Sequence, residues 1–439
     1  MPPADFNSTI PIGAVVGHST SRGFVPNPDG RGTLGILWSA LAVVLLNTWT
    51  VIHPNIQPPK QSEWRRWLHK LNLAFIAAAA PDAIAATAFS QWRAAKRNHA
   101  ALKDQLPWWT LDHAFYAEMG GYRVVSVATG QKYAVRGKEL VWLHKEKLIE
   151  IPEVEHCALV ERSKGNPMAK FLACCQSAWF LTSSIARMAQ GLPLTTLEIE
   201  LVPFVGVTWI VYWWWWHKPM ELQTCTLVPV ADLIMDQLER MARATCCFDR
   251  APPWWRPLPQ EMHPWRLDYF WMTKPVNMRR FRFKNTTKLV PPALQKVVSG
   301  TLAEWQVADW YRAAVNEAHP NEWDVSDGWV IYLVGVWLYG FPLIAWHYEF
   351  PTELESVLWK VSNVASIAAC TLWGPVGFLF HKIGDNPTAV WKQSWYYLTV
   401  IVVALGRLYI VIEVFMGLRS CPAGVFDTVN WSLYVPHIL

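Results

Sequence analysis

Seven stretches of the chain run for about twenty residues almost without charge, while charge and proline collect between them. A helix rises about 1.5 Å per residue and a bilayer's hydrocarbon core is about 30 Å thick, so a run of that length predicts a membrane-crossing helix. The runs lie at 33–52, 71–89, 169–190, 194–216, 328–348, 356–380 and 395–418. The first, TLGILWSALAVVLLNTWTVI, is closed by His53-Pro54, and the second is rich in alanine and contains Asp82. The expected fold is all-α: a polytopic membrane helix bundle of about seven transmembrane helices, with two long helical or irregular extramembrane segments. A polar tail, 1–32, leads into a single bundle over 33–418. Caps at 92–168 and 217–327 interrupt that bundle, and a tail follows at 419–439.

The caps carry their own patterns. QWRAAKRNHAALKDQ and TLAEWQVADWYRAAVNEAH (301–319) place apolar residues at helical spacing, as an amphipathic helix does. WWRPLPQEMHPW resists a regular helix, because proline removes a donor and clashes with the preceding turn. Lys and Arg flanking the runs favour the cytosolic side for the long segments. The sequons at Asn7 and Asn285 would need the lumen.

Composition sharpens this picture. Hydrophobic residues make up 52% of the chain and charged residues only 17%, where soluble domains carry nearer a quarter. That apolar content excludes a disordered chain. The 29 Trp suit the membrane interface, where an indole meets both acyl chains and water. The net charge of +5 is not gathered into one stripe, so nothing points to a nucleic-acid partner. Eight Cys are too sparse for a disulfide scaffold. Cys174, Cys175 and Cys370 fall in apolar runs and read as small core residues. Cys246 and Cys247 are vicinal, without the spacing of a zinc site. No metal is expected. No phosphate-binding loop, dinucleotide fingerprint or metalloprotease motif is present, so any catalysis is expected to need no cofactor.

Charges inside the apolar runs are the candidate chemistry, since each costs roughly 2.5–3.5 kcal/mol at the centre of a membrane helix. Asp82 follows Pro81 in FIAAAAPDAIAATAF. Arg407 and Glu413 are six residues apart, hence about 120° apart on one helix, and each is expected to meet a partner on another helix. Asp82 is the candidate partner for Arg407, and Arg187 for Glu413. Glu198 and Glu200 follow Pro193 and Thr195, where acids favour a helix start. His113 and Glu118 flank an aromatic pair in DHAFYAEMGG, a candidate acid–base pair or an ordinary interfacial loop. Asp232 and Asp236 share a helix face, the spacing of a diphosphate site or of a solvated face.

ERSKGNPMAKFLACCQSAWFLTSSIARMAQGLPLTTLEIE, DHAFYAEMGGY, FPTELESVLWKVSN and GRLYIVIEVFMGLRSCPAGVFDTVNWSLYVPHI together resemble a large family of multi-pass membrane proteins from filamentous fungi. The chain is also similar in kind to the membrane-bound terpene cyclase of the ascofuranone pathway. Where that family usually has Glu after the second-run proline, this chain has Asp82. The resemblance implies a multi-pass protein of the endoplasmic reticulum, acting without cofactor on a lipophilic terpenoid among membrane lipids. In that chemistry an acid opens an epoxidised prenyl chain and a ring closes. Asp82 would then donate the proton, with Glu198 or His113 as base and Arg187, Arg407 and Glu413 as further site residues. Trp179, Trp209, Trp337, Trp346, Trp373, Tyr339 and Tyr409 would line the substrate path, because aromatic faces stabilise cations. The other reading is a non-catalytic transporter, lipid-binding protein or scaffold, for which repeats and broken helices are the mark.

Overall fold

The computed structural model describes residues 21–27, 31–56, 63–127, 132–135, 137–163, 167–220, 222, 224–230, 325–382 and 390–431. Asn7, Asp232, Asp236, Cys246, Cys247, Asn285 and the amphipathic run 301–319 lie outside them. The described chain is mostly helical. In order it forms β1 (Ser21–Arg22), α1 (Thr33–Val51), α2 (Glu63–Ala79), α3 (Pro81–Leu102), α4 (Leu111–Glu118), β2 (Tyr122–Ser126) and β3 (Lys132–Ala134). Then come α5 (Gly137–Lys145), α6 (His156–Arg162), α7 (Pro167–Ala189), α8 (Thr196–Trp214) and β4 (Thr226–Val230). After the second long segment come α9 (Val325–Gly340), α10 (Glu353–Lys382), α11 (Val390–Met416) and β5 (Cys421–Pro422).

Every apolar run is helical, but the count of spans changes. Among the described residues three helices are long and apolar enough to cross a membrane: α1, α8 and the Ile401–Arg419 stretch that ends α11. The bent pair Arg66–Ala79 with Pro81–Leu102 would add a fourth if it were one span. The other expected spans fall short for local reasons. α7 carries Lys170 and Arg187. α9 stops after 16 residues at Gly340, where Phe341–His347 tightens into a 3-10 turn. α10 opens with Glu353, Glu355 and Lys360. All three still belong to the bundle: α7 packs on α1, α9 on α3 and α10, and α10 on α11. Their outer faces stay apolar, with Phe171, Leu172 and Ile185 exposed on α7 and Val357, Val361 and Val364 on α10.

The helices define two ends. At the first, α1 and α8 finish and α7 begins: the His53 and Trp215 rings lie 5.7 Å apart, and Lys170 Nζ is 2.9 Å from His53 Nε2. At the second, α1 and α8 begin, and Arg31 pairs with Glu198. There β1 also pairs antiparallel with β5, which follows α11. This frame corrects the reading of 71–89 as one crossing helix. The chain breaks at Ala80 (φ −139°, ψ 67°), and α2 and α3 meet at 111°. Lys70 on α2 lies 4.3 Å over the Trp49 ring, and Gln91 on α3 accepts from Trp215 Nε1 at 3.1 Å. Both arms therefore reach the first end, the arrangement of a re-entrant pair.

The two caps are one body where the structure describes them. β2 pairs antiparallel with β3 and parallel with β4, in the register Tyr122↔Thr226 to Ser126↔Val230. β4 is an edge strand, so Pro229 is tolerated there. Its parallel partner β2 precedes it by about a hundred residues, so the sheet ties the chain before α5 to the chain after α8. At the turn before β2, Gly120 adopts φ +78°, and a Cβ on Gly121 would lie 2.3 Å from the Tyr116 ring. The glycine pair is there for a turn and a close approach.

α7 buries Ala173, Ser177, Phe180, Ser184 and Arg187, one face at helical spacing. Ser177 Oγ and the Asn47 side chain on α1 bond each other at 2.8 and 3.0 Å, joining two helices that pack closely over small residues. Cys174 and Cys175 fall on the opposite, exposed side, contrary to their expected core position, whereas Cys370 is buried.

Candidate functional site

Asp82 is the second residue of α3, behind Pro81 at its first position. A proline there costs no helical bond, because the first N–H groups have no partner in the helix. The half-buried Asp82 carboxylate accepts from the backbone N–H groups of this first turn. Burial in the re-entrant tip places that helix start inside the bundle.

Arg407 on α11 lies close enough for its charge to act on Asp82, but its hydrogen-bonded partner is Glu200 on α8, with Nη1 to Oε2 at 3.1 Å. The expected Asp82–Arg407 pair is thus replaced. Glu200 sits one turn inside α8, at a depth where the Arg407 fork reaches it directly. Both members keep spare capacity: Glu200 Oε1 and Arg407 Nε are buried without a hydrogen-bond partner. Tyr339 on α9, fully buried, feels Asp82, Glu200 and Arg407, and Cys370 on α10 feels Asp82. Five helices therefore converge on two carboxylates, one guanidinium, one phenol and one thiol. With one cation for two acids, the cluster can hold or pass a proton.

The remaining predicted site residues serve other contacts. Glu198 closes a capping box: it accepts from Thr195 N and Oγ1, both at 3.0 Å, and Thr195 Oγ1 accepts from Glu198 N at 3.1 Å. Its other oxygen is taken by Arg31. Arg187 clamps backbone carbonyls, donating to Pro193 at 3.0 Å, Gly424 at 3.0 Å, Val425 at 2.9 Å and Asp427 at 2.7 Å. It is therefore not the partner of Glu413. Glu413 does face inward, 3% exposed, and accepts from Tyr409 Oη at 3.2 Å on its own helix. Tyr409 can donate instead to the Glu355 carbonyl at 3.1 Å.

His113 is structural as well. Its Nδ1 accepts from Thr110 N at 3.2 Å, and its Nε2–H donates to the Val154 carbonyl at 2.7 Å. Glu118 accepts from Asn98 instead. Burial pushes the His113 imidazole below its usual value, as expected for a neutral ring with both nitrogens bonded. Its charged neighbours are Asp112, Glu153 and His156, none of which borders Asp82.

The aromatic residues divide. Trp179 and Trp209 are exposed, Trp179 stacking on Trp431. Trp346 is exposed beneath Lys360. Trp337 donates to the Pro203 carbonyl at 3.2 Å and leans over Gly206, where a Cβ would come within 2.9 Å of its Nε1. The Trp373 side chain lies outside the described residues. Among the described side chains of the set, only Tyr339 joins the charged cluster. Glu200 is the residue that sequence reasoning set aside as a helix start. Two residues apart on a helix means about 200°, so Glu198 and Glu200 cannot both serve one cap. That spacing was the available signal.

A protein family described only as a family of unknown function (DUF8562) matches residues 6–248, more than half of the chain. No curated protein and no solved structure matches.

Proposed function

We propose a function for a chain that belongs to this family of unknown function (DUF8562): a membrane-embedded acid–base enzyme for a lipophilic substrate, centred on Asp82, Glu200 and Arg407. The observation that supports it is the helix start buried at the re-entrant tip. It holds Asp82 beside, and not within, the Arg407–Glu200 pair. An unpaired acid can give up a proton that an ion-paired carboxylate does not carry.

The resemblance to fungal multi-pass proteins supplies the substrate class, a terpenoid with an epoxidised prenyl chain in the endoplasmic reticulum membrane. Asp82 donates its proton to the epoxide oxygen as the carbon–oxygen bond opens. The substrate's own hydroxyl or alkene attacks the electron-poor carbon and closes the ring. Glu200, oriented by Arg407, takes the proton that this nucleophile releases, and proton return to Asp82 completes an isomerisation with no change in mass. Tyr339 contributes an aromatic face to the developing cation. Glu198 and His113 are not used as the base, since their polar atoms are committed to helix starts.

The test is co-expression of wild-type and variant chains with an epoxyprenyl phenol in a clean fungal host, followed by mass spectrometry and NMR. Asp82→Asn keeps the fold and loses the cyclised product, Asp82→Glu keeps part of it, and Glu200→Gln loses most of it. Normal turnover by a well-expressed Asp82→Asn protein rejects the mechanism. The re-entrant pair favours a second reading, transport, because broken helices at mid-membrane mark substrate and ion paths. Uptake into proteoliposomes that disappears in Asp82→Asn, without any isomerised product, would select it.

A further inference from the structure

A second polar cluster lies at the other end of the bundle from Arg31 and Glu198, and the acid–base reading does not use it. His53, just past α1, is 1% exposed and bonded through both nitrogens. Nδ1–H donates to the Val51 carbonyl at 2.6 Å, and Nε2 accepts from Lys170 Nζ at 2.9 Å. The ring is therefore neutral, and burial with the ammonium groups of Lys170, Lys218 and Lys70 holds it well below its usual value. Lys218, just past α8, is 2% exposed, lies 4.5 Å over the Trp215 ring and donates to Gln91 Oε1 at 2.8 Å. That same oxygen accepts from Trp215 Nε1 at 3.1 Å.

The donors outnumber the acceptors. An ammonium has three N–H groups and an amide two. Gln91 is 7% exposed, and its Nε2 is buried with no partner. Among the described residues neither Lys170 nor Lys218 pairs with a carboxylate. Removing a cation from water is costly without an opposite charge beside it. Half-buried Lys170 opens the cluster to the surface, and Trp213 and Trp216 are exposed at the same end of α8, the depth at which indoles meet lipid headgroups.

We propose that Lys170, Lys218 and the Gln91 amide, with His53 orienting Lys170, form a binding site for the phosphate group of an anionic ligand, at the end of the bundle where α1 and α8 finish. Phosphate offers several acceptor oxygens and a charge that two lysines balance as point charges. Its source is either an anionic lipid headgroup, such as a phosphatidate, or a free phosphate.

The full chain, purified in a maltoside detergent that carries no phosphate, distinguishes the two. Unfolding temperature and tryptophan fluorescence are followed as inorganic phosphate or phosphatidic acid is added. A rise in unfolding temperature with phosphatidic acid alone identifies a headgroup site, and a rise with both identifies a free-anion site. Burial pushes the Lys218 ammonium well below its usual value, toward the neutral amine, and an anionic phosphate beside it favours the charged form. Lys218→Met removes this buried amine, which has no carboxylate beside it, so it should melt higher than wild type without ligand and bind about tenfold or more weakly. A purely structural lysine would not give that reversal. Lys170→Met, at a half-buried position, provides the same binding test should Lys218→Met fail to fold. The proposal is overturned if neither ligand stabilises the wild type, or if the folded lysine variants are stabilised as strongly as it is.

Discussion

His113 shows how a residue chosen for its chemistry can be spent on architecture. Its Nδ1 can accept from Thr110 N only while unprotonated. The folded state holds the imidazole below its ordinary value of about 6.5, so the unfolded chain binds the proton more readily. The His113 contribution to stability is thus fully present above about pH 6.5 and falls as pH drops below it. Unfolding midpoints between neutral and mildly acidic pH should fall more steeply for wild type than for His113→Gln. Equal slopes would show that the ring is not linked to folding. Asp82 is the contrasting residue: its carboxylate also serves a helix start, but one carried into the bundle interior beside Arg407.

Helix contacts depend on a few positions where backbones approach closely. A Cβ on Gly406 of α11 would lie 2.9 Å from Ser366 Oγ and 3.2 Å from the Ser362 carbonyl on α10. Gly406→Ala should cost about 1–3 kcal/mol, because the backbone carbonyl cannot move aside alone. A melting curve of the detergent-solubilised protein measures it, and an unchanged midpoint would mean that α10 yields freely. Arg187 makes a different kind of junction, binding the end of α7 to the chain after β5 through three carbonyls and to the turn before α8 through that of Pro193. Arg187→Met leaves those acceptors buried and should cost about 3 kcal/mol or more. Limited proteolysis should then cut within 419–431 faster than in wild type. A resistant segment would show that β1–β5 pairing suffices.

At the scale of the whole molecule, the re-entrant pair sets what faces which side. Single cysteines at Trp64 and Lys103, in a background with the native cysteines replaced, should react with a membrane-impermeant reagent from the same side as His217→Cys. Glu353→Cys, at the opposite end, should react from the other side. Labelling of the Trp64 and Lys103 positions from opposite sides would make α2 and α3 one crossing span. The same arrangement carries Asp82 away from the capped end while both arms remain attached to it, through Lys70 with Trp49 and Gln91 with Trp215.

Much of this was legible in the linear chain. Apolar content and helical spacing are local and additive, so the helices announce themselves in the runs. Local rules also placed the α8 start at Thr195 and Glu198 and the inward face of Glu413. Partner choice was not legible. Arg407 could reach any acid at its depth, and only the packing of α11 against α8 gave it Glu200 and left Asp82 apart. Nor does composition say whether a broken helix goes on or turns back, since both courses bury the same alanines. The parallel pairing of β2 with β4 joins strands about a hundred residues apart in sequence, across four intervening helices. These contacts depend on which elements become neighbours, and that is decided when the bundle closes.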